Sequence, residues 1–311
     1  MLFISEAEVR RLLDLDRLIE RLAEAFVGLS AGRASVPPRI AARSADGLLG
    51  AMPGYLDGIL ETKLVSVFPK NHERGLPSHQ ALIALFDAVN GTPLAVMDGT
   101  HITAARTGAA TAVSTRTLAR PDARVLAVLG AGVQGRFHLL AHERVRDFSE
   151  VRVASRNPDH ARALAAEFGA TAVTSFEEAA RDADVVCFCT DATSPVSKPA
   201  WFRRGTHVTS VGSSAGGPEL DPATILAADL LVVEHRDAFK PYPAGAHELL
   251  GLDPAAAAEL GEVISGSRAG RTTQEQLTVY KSMGHAVEDA VAADLVYSAA
   301  RVQGAGTELS L

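Results

Sequence analysis

Val125-Leu-Ala-Val-Leu-Gly-Ala-Gly-Val-Gln-Gly135 joins an apolar run of strand type to the spacing Gly130-x-Gly132-x-x-Gly135. A helical pattern follows through Phe137, Leu139 and Leu140, and a second apolar run, Val151-Arg-Val-Ala154, comes one βαβ unit later. In that context the three glycines predict dinucleotide binding: Gly130 for a sharp turn, Gly132 for close approach of backbone to a pyrophosphate, Gly135 for close packing of helix on sheet. The helix N-terminus opening at Val133 and Gln134 would offer free N–H groups and a positive dipole end to the phosphates.

Outward from this stretch the pattern is strand, helix, strand, helix. Strands are predicted at 125–129, 151–154, 171–173, 184–189, 207–211 and 230–233, with helices between most of them. That alternation implies a parallel, doubly wound α/β sheet of Rossmann type. Asp184-Val-Val-Cys-Phe-Cys189 and His207-Val-Thr-Ser-Val211 are continuously apolar or small, as strands covered on both faces should be. A long helix is predicted from about Gln274 to Arg301, with Ala286, Ala290, Ala293 and Val296 near one face.

The front of the chain reads differently. Ser5 and Glu8 form a capping box, Asp14 caps a second helix with Leu18, Leu22, Ala25, Phe26 and Leu29 on one face, and Gly32 ends it. Between 36 and 100 lie short apolar runs separated by Pro and Gly, and Asp87-Ala-Val-Asn-Gly91 is a hairpin signal. This predicts an α+β domain over 1–118, with a Rossmann domain over 119–289 and the end of the last helix, about 290–311, returning to the first domain, which is therefore discontinuous.

The 311 residues carry a net charge of −7 and few aromatics, which disfavours nucleic-acid binding. No apolar run approaches the roughly 20 residues that span a bilayer, and Leu2-Phe-Ile4 passes straight into a charged helix, unlike a signal peptide. Cys187 and Cys189 read as reduced core thiols of a cytoplasmic protein. His138 and His142 have a metal-ligand spacing but lack a third ligand, so no metal is expected and a structural role is. The loop histidines His72 and His79 follow Lys63 and could approach a substrate.

At the end of the second Rossmann strand an acidic residue selects NAD and an arginine accommodates the 2′-phosphate of NADP. Here stand Ser155-Arg156-Asn157, with no carboxylate before Asp159. NADP(H) is favoured, with NAD(H) as the other reading. Thr190, at the carboxyl end of a later strand, is placed where cofactors sit.

Three cations stand in apolar or small surroundings: Arg39 after Val36-Pro-Pro38, Lys63 in Glu61-Thr-Lys-Leu-Val-Ser-Val-Phe68, and Arg106 in Thr103-Ala-Ala-Arg-Thr-Gly-Ala-Ala110. Such residues are either solvated surface groups or site groups, and the residues alone leave both readings open. Together with Pro38-Arg39, Met52-Pro53, Phe68-Pro-Lys-Asn71, Gly91-x-Pro93-Leu, the Gly130–Gly135 fingerprint, Glu219-Leu-Asp221, Lys281-Ser-Met-Gly284 and Glu288-Asp289, they make the chain resemble the ornithine cyclodeaminase/mu-crystallin family over nearly its whole length.

The resemblance implies a homodimer formed through the first domains and a site in the cleft between each first domain and its Rossmann domain. It implies that Arg39 and Arg106 clamp a substrate carboxylate and that Lys63 acts beside the reacting carbon. Ornithine-specific members, as the resemblance has it, carry a Glu two residues before Met-Pro and an Asp after the strand ending in Val-Gly. This chain has Gly50 and, most nearly, Ser214 in those places, in a loop, Ser213 to Pro218, about one residue shorter. A distal ammonium in a dry cleft without an anion costs several kcal/mol, whereas Ser214 can only hydrogen-bond a neutral substrate group. The expected activity is therefore NAD(P)-dependent hydride transfer at the α carbon of a small amino acid, cyclic imino acid or ketimine. Ornithine cyclisation to proline is the second reading, with Glu61 or Glu219 as a substitute charge, and non-catalytic NADP binding is the third.

Overall fold

The computed structural model describes residues 1–212 and 217–310. In chain order the elements are β1 (Leu2–Ile4), α1 (Glu6–Leu12), α2 (Leu15–Ser30), β2 (Ala34–Ser35), β3 (Ile40–Arg43), β4 (Leu48–Leu56), β5 (Ile59–Val67), β6 (His79–Asp87), β7 (Pro93–Asp98) and α3 (Thr100–Leu118). They continue with β8 (Val125–Leu129), α4 (Val133–Val145), β9 (Glu150–Ala154), α5 (Pro158–Phe168), β10 (Thr171–Ala172), α6 (Phe176–Ala180), β11 (Val185–Phe188), β12 (His207–Ser210), α7 (Pro222–Leu226) and β13 (Leu230–Val233). The chain closes with β14 (Ala258–Glu259), α8 (Leu260–Ser265), β15 (Thr278–Lys281), α9 (Ala286–Gln303) and β16 (Thr307–Glu308). Among the described residues no helix is long and apolar enough to cross a membrane.

The chain divides into two compact units, one of Met1–Arg106 with His285–Leu311 and one of Thr107–Gly284. One boundary lies inside α3, the other just before α9.

In the first unit the sheet runs β16-β1-β7-β6-β5-β4-β2, with β3 also on β4. Pairing is antiparallel except for β1 on β7. The period-two alternation of β4 to β7 turns one side chain in two toward α9 and α2. Met52, Lys63, Ile83 and Met97 form one row of that buried face, and Gly54, Glu61 and Leu85 another. The opposite face leaves Leu49, Tyr55 and Leu82 exposed. The Ser5–Glu8 capping box and the Asp14 cap both form.

The second unit is a parallel sheet in the order β10-β9-β8-β11-β12-β15-β13-β14. Its strands are buried on both faces: Leu126 and Val128 of β8 pack into one core with Leu139 and Leu164, while Ala127 and Leu129 pack into the other with Phe188 and Ile225. The sheet winds from β8 through β9 to β10 in one direction and resumes at β11 on the other side of β8. That reversal is the topological switch point at which ligands bind in such folds.

One expectation fails. The predicted helix from about Gln274 is not continuous: Thr278–Lys281 is β15, inserted between β12 and β13, and the helix begins only at Ala286. Thr278, Val279 and Tyr280 suit a pleated, buried strand, and Gly284 takes φ +69°, which ends any helical continuation. From Ala286 onward the alanine-rich face packs as expected, with Ala286, Ala290, Ala293 and Val296 buried.

Candidate active site

The glycine fingerprint forms a cradle at the carboxyl end of β8. Gly130 takes φ +112°, and a Cβ there would stand 2.5 Å from the Cys189 carbonyl oxygen at the end of β11. A Cβ on Gly135 would stand 2.0 Å from the Gly130 carbonyl oxygen, so α4 can lie this close to the turn only with glycine. A Cβ on Gly132 would meet nothing within 4 Å, and no side chain caps α4 there. The first turn of α4, with Val133 exposed and Gln134 half-buried, therefore opens onto free space with its N–H groups uncapped by a side chain, as a bound diphosphate requires.

At the end of β9, Ser155 Oγ accepts from the Asn157 N–H at 3.3 Å, and Asn157 Oδ1 accepts from the Asp159 N–H at 2.9 Å, capping α5. The Asn157 carboxamide oxygen thus has a structural task. The Arg156 side chain is 88% exposed, with its guanidinium 3.9 Å from the Asp191 carboxylate. Thr190 is committed internally: its N–H and hydroxyl both donate to Glu219 Oε1, at 2.6 and 2.7 Å.

Glu219 is a buried anchor. Its other oxygen accepts from Ser210 Oγ and the Gly212 N–H, each at 2.7 Å, so one carboxylate ties the ends of β11 and β12 together. Any Cβ on Gly212 would collide with it at 2.3 Å. Lys281, fully buried at the end of β15, donates to Ser210 Oγ at 3.0 Å and to the Gly212 carbonyl at 2.6 Å, and pairs with Glu248 at 2.9 Å. Glu219 is therefore not a spare charge for a substrate. Ser214 lies outside the described residues.

The first unit gathers Lys63 and Arg106. The Lys63 ammonium, 1% exposed, is 2.7 Å from Asp289 Oδ2. The Arg106 guanidinium donates from Nε to Asp289 Oδ1 at 3.1 Å and from Nη1 to Glu288 Oε2 at 2.9 Å. β5 places the lysine on the α9 side of the sheet, the first turns of α3 place the arginine, and the first turn of α9 supplies both acids. Burial pulls the Lys63 ammonium down to about 8, against the pull of Asp289, and Arg106 and the half-buried Arg39 press in the same direction as burial. Burial alone would push the Asp289 carboxyl up; Arg106 and Lys63 outweigh it and hold Asp289 below the usual carboxylate range. The Lys63 charge also reaches His79, which begins β6; the His72 side chain lies outside those described.

Glu61 belongs to the same cluster. It is 2% exposed, and neither of its carboxyl oxygens has a hydrogen-bond partner among the described residues. Burial, followed by the Asp289 charge, pushes its pKa well above the ordinary range. Sequence reading assigned no task to Glu288 and Asp289 and weighed Glu61 only as a substitute charge. Two acids entering a helix as alanine-rich as α9 were the available signal, because buried acids demand buried partners.

His138 and His142 are structural. Both are fully buried on α4, with Nδ1 2.7 Å from the carbonyls of Gln134 and His138 respectively, and His142 Nε2 lies 3.0 Å from Thr115 Oγ1.

A Rossmann dinucleotide cradle on one unit and a buried lysine–arginine–carboxylate cluster on an appended α+β unit define a class of two-unit nucleotide-dependent proteins. Within it, the ornithine cyclodeaminase/mu-crystallin family model matches residues 1–304, and the chain belongs to that family. It is 41% identical over 256 residues to ketimine reductase mu-crystallin of Mus musculus, covering 81% of this chain and 80% of that one. It is similar to the solved Delta(1)-pyrroline-2-carboxylate reductase of Thermococcus litoralis in complex with NADH and L-proline, with TM-score 0.92, 36% identity and 99% and 100% of the two chains covered. It is also similar to an archaeal alanine dehydrogenase dimer with bound NAD, with TM-score 0.90, 32% identity and 100% and 99% covered.

Proposed function

We propose that this chain is a nicotinamide-dependent oxidoreductase that reduces the C=N bond of a small carboxylate-bearing imine, such as a cyclic imino acid or ketimine. The observation that carries the reading is Lys63: a fully buried ammonium held 2.7 Å from Asp289, in a chain that also carries a dinucleotide cradle. The reductases and dehydrogenase it resembles support the same class of reaction.

In this reading Gly130, Gly132, Val133, Gln134 and Gly135 hold the diphosphate, Ser155, Arg156 and Asn157 flank the adenosine end, and Thr190 contributes to the pocket through its position on the Glu219 anchor. A bound reduced nicotinamide supplies the hydride. Arg39 and Arg106 bind the substrate carboxylate, Arg106 through N–H groups other than the two given to Glu288 and Asp289. Ser214 hydrogen-bonds a neutral part of the substrate. Lys63 Nζ delivers a proton to the imine nitrogen, a transfer for which an ammonium brought near neutrality by burial is suited. Asp289 keeps that ammonium oriented.

Arg156, exposed and without a neighbouring carboxylate on its own loop, supports NADP(H) over NAD(H). The apolar face of Leu49, Tyr55 and Leu82 supports a homodimer formed through the first unit. The buried, unbridged Cys187 and Cys189 support a reducing, cytoplasmic setting.

The test is direct. The protein is mixed with NADPH and either 1-pyrroline-2-carboxylate or 1-piperideine-2-carboxylate, and cofactor absorbance is followed. Loss of NADPH dependent on both protein and imine is expected. Ammonia and proline from ornithine without net cofactor change, or saturable NADPH binding with neither reaction, would reject the reading.

A further inference from the structure

Glu61 precedes Lys63 by two residues on β5, so both side chains leave the same face of the strand from Cα atoms about 7 Å apart. Across the β4 ladder Glu61 faces Gly54. A Cβ there would stand 3.2 Å from Glu61 Oε1 and 2.9 Å from Ala286 Cβ, so glycine at 54 is what leaves the acid its space.

The charged groups around it are Lys63 on its own strand, Arg106 on α3, and Asp289 and Glu288 on α9; Arg39 and His79 bear on Lys63. Lys63 and Arg106 are matched one to one by Asp289 and Glu288. An ionised Glu61 would add an unmatched buried anion, which the interior resists. A neutral Glu61 keeps an O–H that nothing described engages, on the same face of β5 as the ammonium whose proton the reaction consumes.

We propose that Glu61 is a neutral carboxylic acid that stores the proton with which Lys63 is recharged during turnover. The inference rests on Lys63 as the proton donor. The hydride forms the C–H bond at the imine carbon, and the nicotinamide is oxidised by two electrons. The imine nitrogen takes a proton from Lys63 Nζ, which becomes the neutral amine. Lys63 Nζ then takes the proton of the Glu61 carboxyl through one bridging water, since no direct hydrogen bond joins the two groups, and the Glu61 carboxylate regains a proton from solvent as product leaves. Glu61 acts through Lys63 and is a positioning residue for that proton.

The experiment compares Glu61→Gln with the unsubstituted protein across about pH 6 to 9, with NADPH and 1-piperideine-2-carboxylate. Gln keeps the shape and removes the transferable proton. We expect kcat within about twofold at the acid end, where water supplies protons readily, and a deficit that grows to roughly tenfold at the alkaline end. The solvent deuterium isotope effect on kcat rises and KM stays put. A deficit equal at every pH, or none, overturns the proposal. Lys63→Ala is run alongside: if it retains turnover, the donor assignment itself fails, whatever Glu61→Gln does. Should Glu61→Gln not fold, infrared spectra of the unsubstituted protein decide. A protonated carboxyl band at neutral pH that disappears in Glu61→Met, which keeps the length and lacks a carboxyl, is expected, and its absence overturns the proposal.

Discussion

Arg106 shows how far a single residue can be read. Its sequence surroundings of Ala, Thr and Gly leave open a surface or a buried position. Burial becomes intelligible only with Glu288 and Asp289, roughly 180 positions later, and no local pattern connects them. Removing it would strand the buried Glu288 carboxylate and leave Asp289 with Lys63 alone, at a cost of about 3–5 kcal/mol, so Arg106→Ala confuses folding with function. Arg106→Lys keeps the charge and loses the planar fork. We expect it to fold, to raise KM for the imino acid at least about tenfold, and to leave the NADPH Kd unchanged; an unmoved KM removes Arg106 from substrate capture. At the other ligand, Arg156→Ala should weaken NADPH by about 1–2 kcal/mol, roughly 5- to 30-fold, and NADH little. Equal losses for both cofactors in a fluorescence titration would remove the 2′-phosphate assignment. Thr190 was placed near the cofactor from its strand end alone; that its polar groups are taken by Glu219 depends on a strand crossing no spacing reveals.

Among the elements, β8 and α4 were legible because their determinants are local: an apolar strand, three glycines at fixed spacing and an amphipathic continuation. The same close approach makes Gly135→Ala diagnostic. Its new Cβ would stand 2.0 Å from a backbone carbonyl, which cannot swing aside as a side chain can. Displacing α4 from the turn should cost about 1–3 kcal/mol of stability and weaken NADPH binding at least tenfold; tight binding with unchanged Tm would mean that the cradle is not built this way. β15 was missed because Thr278–Lys281 is too short for a period to register and lies against a strongly helical neighbour. Its place between β12 and β13 is a property of the sheet, not of those four residues.

Over the whole molecule, the fold class and the family were readable from the sequence, while the balance of buried charge was not. That balance sets the response to acid. Burial pulls His138 to about 3 and His142 to about 4, so both are neutral in the native state, whereas in the unfolded chain they titrate near 6.5. Below that value the unfolded state binds more protons, and stability falls with pH until the native values are reached, near pH 3 to 4. Between about pH 6.5 and 5 each imidazole should withdraw roughly 2 kcal/mol. A thermal melt should show a Tm lower by about 10 °C at pH 5 than at pH 7; a flat Tm over that range would contradict the burial of neutral imidazoles. The exposed apolar face of the first unit belongs to this scale too. Sedimentation should give twice the mass of one 32.6 kDa chain, and Leu82→Glu should shift it toward the monomer; a monomer without substitution would leave that face unexplained.

In the proposed reaction the buried ammonium of Lys63 delivers the proton that accompanies hydride transfer. Single-turnover oxidation of NADPH by 1-piperideine-2-carboxylate, followed by absorbance for the unsubstituted protein and for Lys63→Ala, puts that role to the test. We expect the substituted protein to bind NADPH with unchanged Kd and to oxidise it about 100-fold or more slowly. A Lys63→Ala protein that oxidises NADPH at close to the original rate would contradict the claim.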